Sequence, residues 1–115
     1  MSLVIGIGLR PGADIGPLED ALRGQSIAAL ATIEARAEAL GSLARRLGLP
    51  LIPIPPRDLA GVVTPSASAR IMALYRCGSV AEACALLAAG PGSVIVKPRF
   101  TLGGTTWAAA RKAPE

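Results

Sequence analysis

The chain has 115 residues, the size of one domain, and 51% of them are hydrophobic, which is ample for a packed core. Lys and Arg outnumber Asp and Glu by 12 to 8, and the net charge of +4 is dispersed along the sequence. This balance favours an acidic partner, but aromatic residues make up only 3% of the chain and offer little for nucleobases to stack on. We therefore expect no nucleic-acid ligand.

The absence of histidine removes the commonest general base and the commonest metal ligand. Cys77 and Cys84 lack the spacing of a zinc site and are typical of small buried thiols in a reducing cytosol. We therefore expect no metal and no cofactor. No apolar run is long enough to span a bilayer, and the N-terminus lacks the basic region of a signal peptide, so we expect a soluble cytoplasmic protein without a membrane partner.

An apolar segment at residues 3–9 predicts a buried parallel strand, because such a strand is covered on both faces and its residues need not alternate. Gly6 and Gly8 have no Cβ atom, so another backbone or a ligand can approach them closely. Arg10 follows at the carboxyl end of the strand, where open α/β sheets bind ligands. This segment predicts an anion site, with a glycine-rich turn that binds nothing as the alternative.

Helices and strands alternate through the next part of the chain. A short helix is predicted over residues 13–22, with Asp14 as its N-cap, and a strand over residues 27–32 follows. The next helix has apolar residues at helical spacing and ends at Gly48. A strand over residues 50–54 is interrupted and followed by prolines, which donate no hydrogen bond, so it is expected to be short or at an edge.

Two more helices are predicted after a single helical turn at residues 57–60. The first covers residues 64–76 and begins with hydroxyl residues and a proline. The second covers residues 79–89, and Ser79 and Glu82 are predicted to form a capping box in which each side chain binds a free backbone amide.

The last two strands are predicted at residues 93–96 and 105–110. Their connection, residues 97–104, is too short for a crossover helix, so this pair should be antiparallel. Because strands and helices alternate before it, the sequence predicts one α/β domain over residues 1–115. Its three layers, α/β/α, would hold a mostly parallel sheet of about five strands with an antiparallel C-terminal strand pair.

Polar residues that follow the predicted strands should converge, because the carboxyl ends of parallel strands meet at one edge of a sheet. Several cations there would suit a ligand with several carboxylates, through charge-assisted and bidentate hydrogen bonds. Other interpretations stay open: exposed arginines often only solvate a surface, and an acid beside an arginine can be its ion-pair partner. The candidate catalytic residue is Glu34, and the candidate binding residues are Gly8, Arg10, Thr32, Arg36, Lys97 and Arg99.

The glycines of the first turn also invite comparison with the dinucleotide fingerprint G-x-G-x-x-G. Gly6 and Gly8 match it, but Pro11 interrupts it and Gly12 comes one residue late. The chain is also far shorter than two mononucleotide-binding halves, so nicotinamide binding is not favoured.

Four ordered segments, which together span nearly the whole chain, carry a resemblance to a known family. In this order they resemble the family that comprises the stand-alone cobalamin-biosynthesis protein CobE and the C-terminal domain of CbiG. The resemblance implies an α/β domain that acts in corrin-ring construction, on a flat precorrin macrocycle ringed by acetate and propionate carboxylates. For CbiG it also implies a link to hydrolytic opening of a lactone. The segments are residues 6–12, 30–37, 65–66 with 79–85, and 97–99 with 103–111.

Three functions are compatible with these observations. The first is a carrier or accessory protein that binds a precorrin, and the lack of histidine and of a catalytic triad favours it. The second is a hydrolase that opens a lactone or ester on a precorrin, with Glu34 as general base and Arg10 or Lys97 stabilising the developing negative charge. The third is a docking module for another cobalamin-biosynthesis enzyme.

Overall fold

The computed structural model describes residues 2–112, which form five strands and four α-helices. The strands are β1 (Leu3–Leu9), β2 (Ile27–Ile33), β3 (Leu51–Ile54), β4 (Val94–Leu102) and β5 (Thr105–Arg111). The helices are α1 (Gly16–Leu22), α2 (Glu34–Leu47), α3 (Ala69–Tyr75) and α4 (Val80–Ala89). A 3₁₀ turn at Pro56–Leu59 follows β3.

The strands form a single sheet in the order β3-β2-β1-β5-β4. Neighbours β1, β2 and β3 are parallel, whereas β5 runs antiparallel to both β1 and β4, so four strands share one direction. Helices α1 and α2 cover one face, and α4 covers the other with α3 beside it. The predicted three-layer α/β fold, with a mostly parallel sheet and an antiparallel C-terminal pair, is confirmed. Strand β3 lies at an edge, as its prolines indicated.

The two faces of the sheet are buried by side chains of different size. Leucines of α1 and α2 pack on large aliphatic residues of β1 and β2. On the other face α4 contributes mainly alanines and Cys84, which let its backbone approach the sheet closely. The fully buried residues on the first face include Ile5, Ile7, Leu18, Leu30, Leu40 and Leu43.

Gly6 is the point of closest approach between α4 and the sheet. A Cβ atom at this position would lie 1.8 Å from the carbonyl oxygen of Ala81 and 2.6 Å from the amide nitrogen of Ala85. The first turn of α4 therefore rests directly on the backbone of β1. Gly8 lies two residues further along the same face, beyond the end of the helix, where a Cβ atom would meet nothing within 4 Å.

Strand β4 extends further than the sequence predicted. The segment 97–102, expected to be a connection, continues the strand, and only Gly103 and Gly104 form the turn to β5. The pairing of β4 with β5 is irregular between Ile95 and Lys97 and again between Lys97 and Phe100. An edge strand tolerates these irregularities and a proline, because one side of its backbone needs no ladder partner.

The helix starts also differ in detail from the predictions. Asp14 accepts a hydrogen bond from the Gly16 amide at 2.9 Å, but the N-cap of α1 is Ile15. Helix α3 begins later than expected, because the hydroxyl that caps it belongs to Ser68. Ser79 caps α4 as predicted, since its Oγ accepts from the Glu82 amide at 3.3 Å.

The prediction that the Glu82 side chain completes the capping box is wrong. Its carboxylate instead accepts hydrogen bonds from Ser66 and Arg99, which are remote in sequence. A capping box reflects local spacing only, and here partners from two other segments lie within reach of the carboxylate.

Both cysteines are buried free thiols. Burial is the main cause that raises the pKa of Cys84 to about 12, and it also raises the pKa of Cys77. Both groups are therefore neutral thiols at physiological pH, which is a poor state for a nucleophile.

No single helix within residues 2–112 has the length and hydrophobicity to cross a membrane. Helices α3 and α4 have that length and hydrophobicity only when taken together, as a pair bent by 55°. Across the same residues, no group of three or more His, Cys, Asp or Glu side chains could hold a metal ion.

Candidate functional site

A cleft of about 320 Å³ opens at the carboxyl end of β1. It is bordered by the turn after β1, the first residues of α2, helix α3, the start of α4 and the β4–β5 hairpin. This is the edge of an α/β sheet at which ligands generally bind, because the strand ends and helix starts converge there.

The end of β1 and the turn after it line the cleft. Gly8 lines it, and the open space above its Cα is part of the cleft. Arg10 is exposed at the mouth, and its backbone amide donates to the Gly104 carbonyl at 3.0 Å. This bond ties the β1 turn to the β4–β5 hairpin, so Arg10 is carried by two connected segments.

Arg36, in the first turn of α2, lies beside the end of β1. Its Nε donates to the carbonyl oxygen of Leu9 at 3.1 Å, and the side chain is half-buried. The bond uses one of the five N–H donors of the guanidinium group and fixes the position of the charge. A backbone carbonyl at a strand end thus holds a cation at the wall of the cleft.

Helix α3 supplies a wall that is mostly apolar. Ile71, Leu74 and Tyr75 line the cleft, together with the cation Arg70. Leu74 is 61% exposed although it is a large hydrophobic residue, and α3 contains no fully buried residue. An aliphatic and aromatic surface beside a group of cations suits a ligand that is apolar on its face and acidic at its rim.

The remaining wall combines the start of α4 with β4. Ser79, Val80 and Ala81 bring the N-terminus of α4 to the cleft, where its dipole and free amides favour negative charge. Arg99 and Thr101 line the cleft from β4.

The charge of the lining is uniform. Four arginines contribute to it, each from a different element, and within residues 2–112 no Asp or Glu belongs to the lining. Guanidinium groups are always ionised and bind carboxylates bidentately. The cleft is therefore suited to a ligand with several anionic groups. The four residues are Arg10, Arg36, Arg70 and Arg99.

Of the residues that the sequence singled out, Gly8, Arg10, Arg36 and Arg99 line the cleft. Thr32 does not. It is fully buried in β2, and its hydroxyl donates to the Ile7 carbonyl of the neighbouring strand at 2.7 Å.

Replacing Thr32 by valine should therefore affect stability and leave the cleft intact. The change Thr32→Val keeps the shape of the side chain but leaves the buried Ile7 carbonyl without this donor. We expect a loss of about 1–2 kcal/mol in the free energy of unfolding. Chemical denaturation measures this loss, and unchanged ligand affinity in the same variant is the second expected result. Weaker binding with unchanged stability would instead place Thr32 at the ligand.

Lys97 and Glu34 also lie outside the cleft lining. The Lys97 ammonium sits 5.0 Å from the centroid of the Trp107 ring and 5.7 Å from that of Phe100. Trp107 belongs to the core beneath α1 and α2, so this cation–π contact places Lys97 on the opposite face of the sheet from the cleft. Glu34 is the exposed first residue of α2, where a carboxylate is favoured by the helix dipole.

The sequence did not reveal the contribution of α3. Ile71, Leu74 and Tyr75 recur at helical spacing, a pattern that ordinarily indicates a face packed in the core. Arg70 follows the hydroxyl residues Ser66 and Ser68, a composition that is already explained by helix capping. The local sequence does not distinguish a stripe that faces a cleft from one that faces the core.

Comparison with known proteins identifies the family and the fold of the chain. The sequence matches the family model described as cobalamin synthesis G C-terminus over residues 3–110. No curated protein matches it. Among solved structures, the chain is similar to CobE, a protein from the cobalamin (vitamin B12) biosynthetic pathway. The two share 30% identity with a TM-score of 0.80, covering 99% of this chain and 92% of the other.

Two further structures show the same architecture. Cobalamin biosynthesis protein chiG from Agrobacterium tumefaciens is 31% identical with a TM-score of 0.72, covering 97% of this chain and 99% of the other. A putative cobalamin biosynthesis protein G homolog from Sulfolobus solfataricus shares the fold at 18% identity and a TM-score of 0.74. That match covers 98% of this chain but 37% of the other, so the fold also occurs within a longer protein.

Proposed function

Because the chain belongs to the cobalamin-biosynthesis family of CobE and the CbiG C-terminal domain, we propose that its cleft binds one edge of a polycarboxylate precorrin. The observation that carries the proposal is the charge of the cleft. Arginines from four segments line it, and no Asp or Glu of the described residues belongs to the lining. Acetate and propionate groups at the rim of a tetrapyrrole would pair with these guanidinium groups.

The shape of the cleft supports contact with an edge of the macrocycle. Its volume of about 320 Å³ lies at the lower end of the range of about 300–1,000 Å³ that is typical of small-molecule sites. A whole tetrapyrrole is larger than this, and the remainder would extend into solvent. The exposed face of α3, with Leu74 at its centre, would support the apolar part of the ring system.

The composition of the lining favours binding over hydrolysis. A hydrolase of the kind considered above needs a general base near the reacting group. Glu34 lies outside the lining, and the Ser79 hydroxyl accepts a hydrogen bond from the Glu82 amide as the cap of α4. A carrier or accessory role therefore agrees better with these residues.

Titration with uroporphyrin I tests the proposal, because this stable tetrapyrrole is planar and ringed by acetate and propionate groups. We expect saturable binding by the wild type and an affinity about tenfold to a hundredfold lower in Arg10→Ala, the effect of losing one hydrogen bond between charged groups. Thermal stability should be nearly unchanged, because Arg10 is exposed.

Arg45→Ala is the matched control for this titration. Arg45 is an exposed arginine in the last turn of α2, at the other end of that helix from Arg36. The change Arg45→Ala removes the same charge as Arg10→Ala, and the variant should retain wild-type affinity. Equal weakening by both changes would indicate a general charge effect. Absence of saturable binding in the wild type would contradict the proposal and favour the docking-module hypothesis.

A further inference from the structure

Glu82 is a fully buried carboxylate in the first turn of α4. Its two oxygens accept three hydrogen bonds from outside the helix. Oε1 accepts from the Ser66 amide at 2.9 Å, and Oε2 accepts from the Ser66 hydroxyl at 2.8 Å and from the Arg99 amide at 2.9 Å. A buried carboxylate is stable only when such donors replace its water, and the nearby helix N-terminus also favours its charge.

The Ser66 side of this cluster leads to the apolar wall of the cleft. Ser66 lies in the segment before α3. This segment packs against Gly78, which follows the C-terminal end of α3. The Ser68 amide donates to the Gly78 carbonyl at 2.9 Å, and the Thr64 hydroxyl donates to the Ser66 carbonyl at 2.7 Å. A Cβ atom at Gly78 would lie 2.2 Å from the Ser66 carbonyl oxygen. The hydrogen bonds from Ser66 to Glu82 therefore fix the position of the N-terminal end of α3.

The Arg99 side of the cluster leads to the opposite wall. Arg99 lies in the part of β4 where the regular register with β5 is interrupted, between Lys97 and Phe100. Its amide bonds to Glu82 at this interruption. The carboxylate thus fixes the backbone that carries one of the four arginines of the cleft.

We propose that Glu82 is a positioning residue of the cleft, which holds the α3 wall and the Arg99 wall at a fixed separation from the start of α4. Its effect on ligand binding rests on the proposed function, but its effect on the walls does not. Glu82 itself does not line the cleft, so it acts through Ser66 and Arg99. The chemical reason is that three donors converge on one side chain that has only acceptor atoms.

Glu82→Gln tests this role with little change of volume. An amide offers one acceptor oxygen and one NH₂ donor, so a backbone donor of Ser66 or Arg99 must face another donor. We expect amide exchange to become about tenfold faster at Ser66, at Arg99 and through α3, with unchanged exchange in β1 and β2. Glu38→Gln, an exposed change on α2, is the matched control and should leave exchange unchanged.

Uroporphyrin titration supplies a second measurement. We expect Glu82→Gln to bind about fivefold to tenfold more weakly, with an unchanged number of sites per molecule of total protein. A change that only destabilised the protein would reduce the number of sites and leave the affinity of the folded molecules unchanged. In an Arg99→Gln background the added cost of Glu82→Gln should be smaller, because the two changes affect one interaction.

The outcomes separate the two proposals. Faster exchange in both walls with no uroporphyrin binding by the wild type would support the role of Glu82 and contradict the proposed function. Unchanged exchange at Ser66 and Arg99 in Glu82→Gln would overturn the role of Glu82. If that variant does not fold, Ser66→Ala decides by the same measurements. We then expect faster exchange in α3 and about twofold to threefold weaker binding, and no change in either would overturn the proposal.

Discussion

Gly6→Ala is expected to lower the free energy of unfolding by about 3 kcal/mol or more, because the added methyl group would overlap the backbone of α4. The nearest atoms are the Ala81 carbonyl oxygen at 1.8 Å and the Ala85 amide nitrogen at 2.6 Å. Backbone atoms cannot change rotamer to make room, so the helix would have to move by more than about 1 Å and lose close packing along the sheet. Chemical denaturation of the purified variant measures the loss.

Gly8→Ala is the matched control, since it makes the same chemical change two residues further along the same strand. A Cβ atom at Gly8 meets nothing within 4 Å, so stability should stay within about 1 kcal/mol of the wild type. The methyl group would instead enter the cleft, and weaker uroporphyrin binding is expected. Equal stability of Gly6→Ala and Gly8→Ala would show that α4 does not rest on β1 as described.

Gly6 and Gly8 show which features of the fold can be predicted from the sequence and which cannot. The apolar run around Gly6 and Gly8 predicts a buried strand, and the lack of Cβ atoms predicts a close approach. The sequence does not tell which glycine meets a helix and which faces a cleft. That difference depends on where α4 begins along β1, which is a property of the tertiary packing.

The arginines of the candidate site likewise include some that the sequence predicts and one that it does not. Arg10 and Arg36 follow predicted strands closely, so the rule that strand ends converge places them correctly at one edge of the sheet. Arg99 also lines the cleft, although the segment that carries it was expected to be a connection rather than part of β4. Arg70 was not predicted, because α3 does not follow a strand directly: a 3₁₀ turn and the segment that contains Ser66 lie between β3 and α3.

Lys97 and Arg99 show why proximity in sequence is a weak guide to a shared site. Alternation along a strand would place both side chains on one face, since they are two residues apart. The interruption of the register between Lys97 and Phe100 breaks this alternation. Lys97 therefore lies over Trp107, whereas Arg99 lines the cleft on the other face.

The different positions of Lys97 and Arg99 lead to the prediction with the largest expected effect on binding. The double variant Arg36→Gln, Arg99→Gln should bind uroporphyrin I about 150-fold more weakly at low salt, corresponding to about 3 kcal/mol, because two guanidinium groups no longer pair with rim carboxylates. Wild-type affinity should itself fall about tenfold between about 0.1 M and 1 M salt, over which the screening length falls from about 10 Å to 3 Å. The double variant should lose only about twofold to threefold over this range, since less of its affinity is electrostatic.

Lys97→Gln completes the titration as the control. It removes a positive charge from the same strand as Arg99, but on the face covered by α1 and α2, and it should retain both the affinity and the salt dependence of the wild type. A weakening equal to that of Arg99→Gln would mean that net charge, rather than the cleft, attracts the ligand. Equal affinities of the wild type and the double variant at both salt concentrations would mean that Arg36 and Arg99 do not meet the tetrapyrrole. The family's role in cobalamin biosynthesis would then be better explained here by docking onto another protein of the pathway.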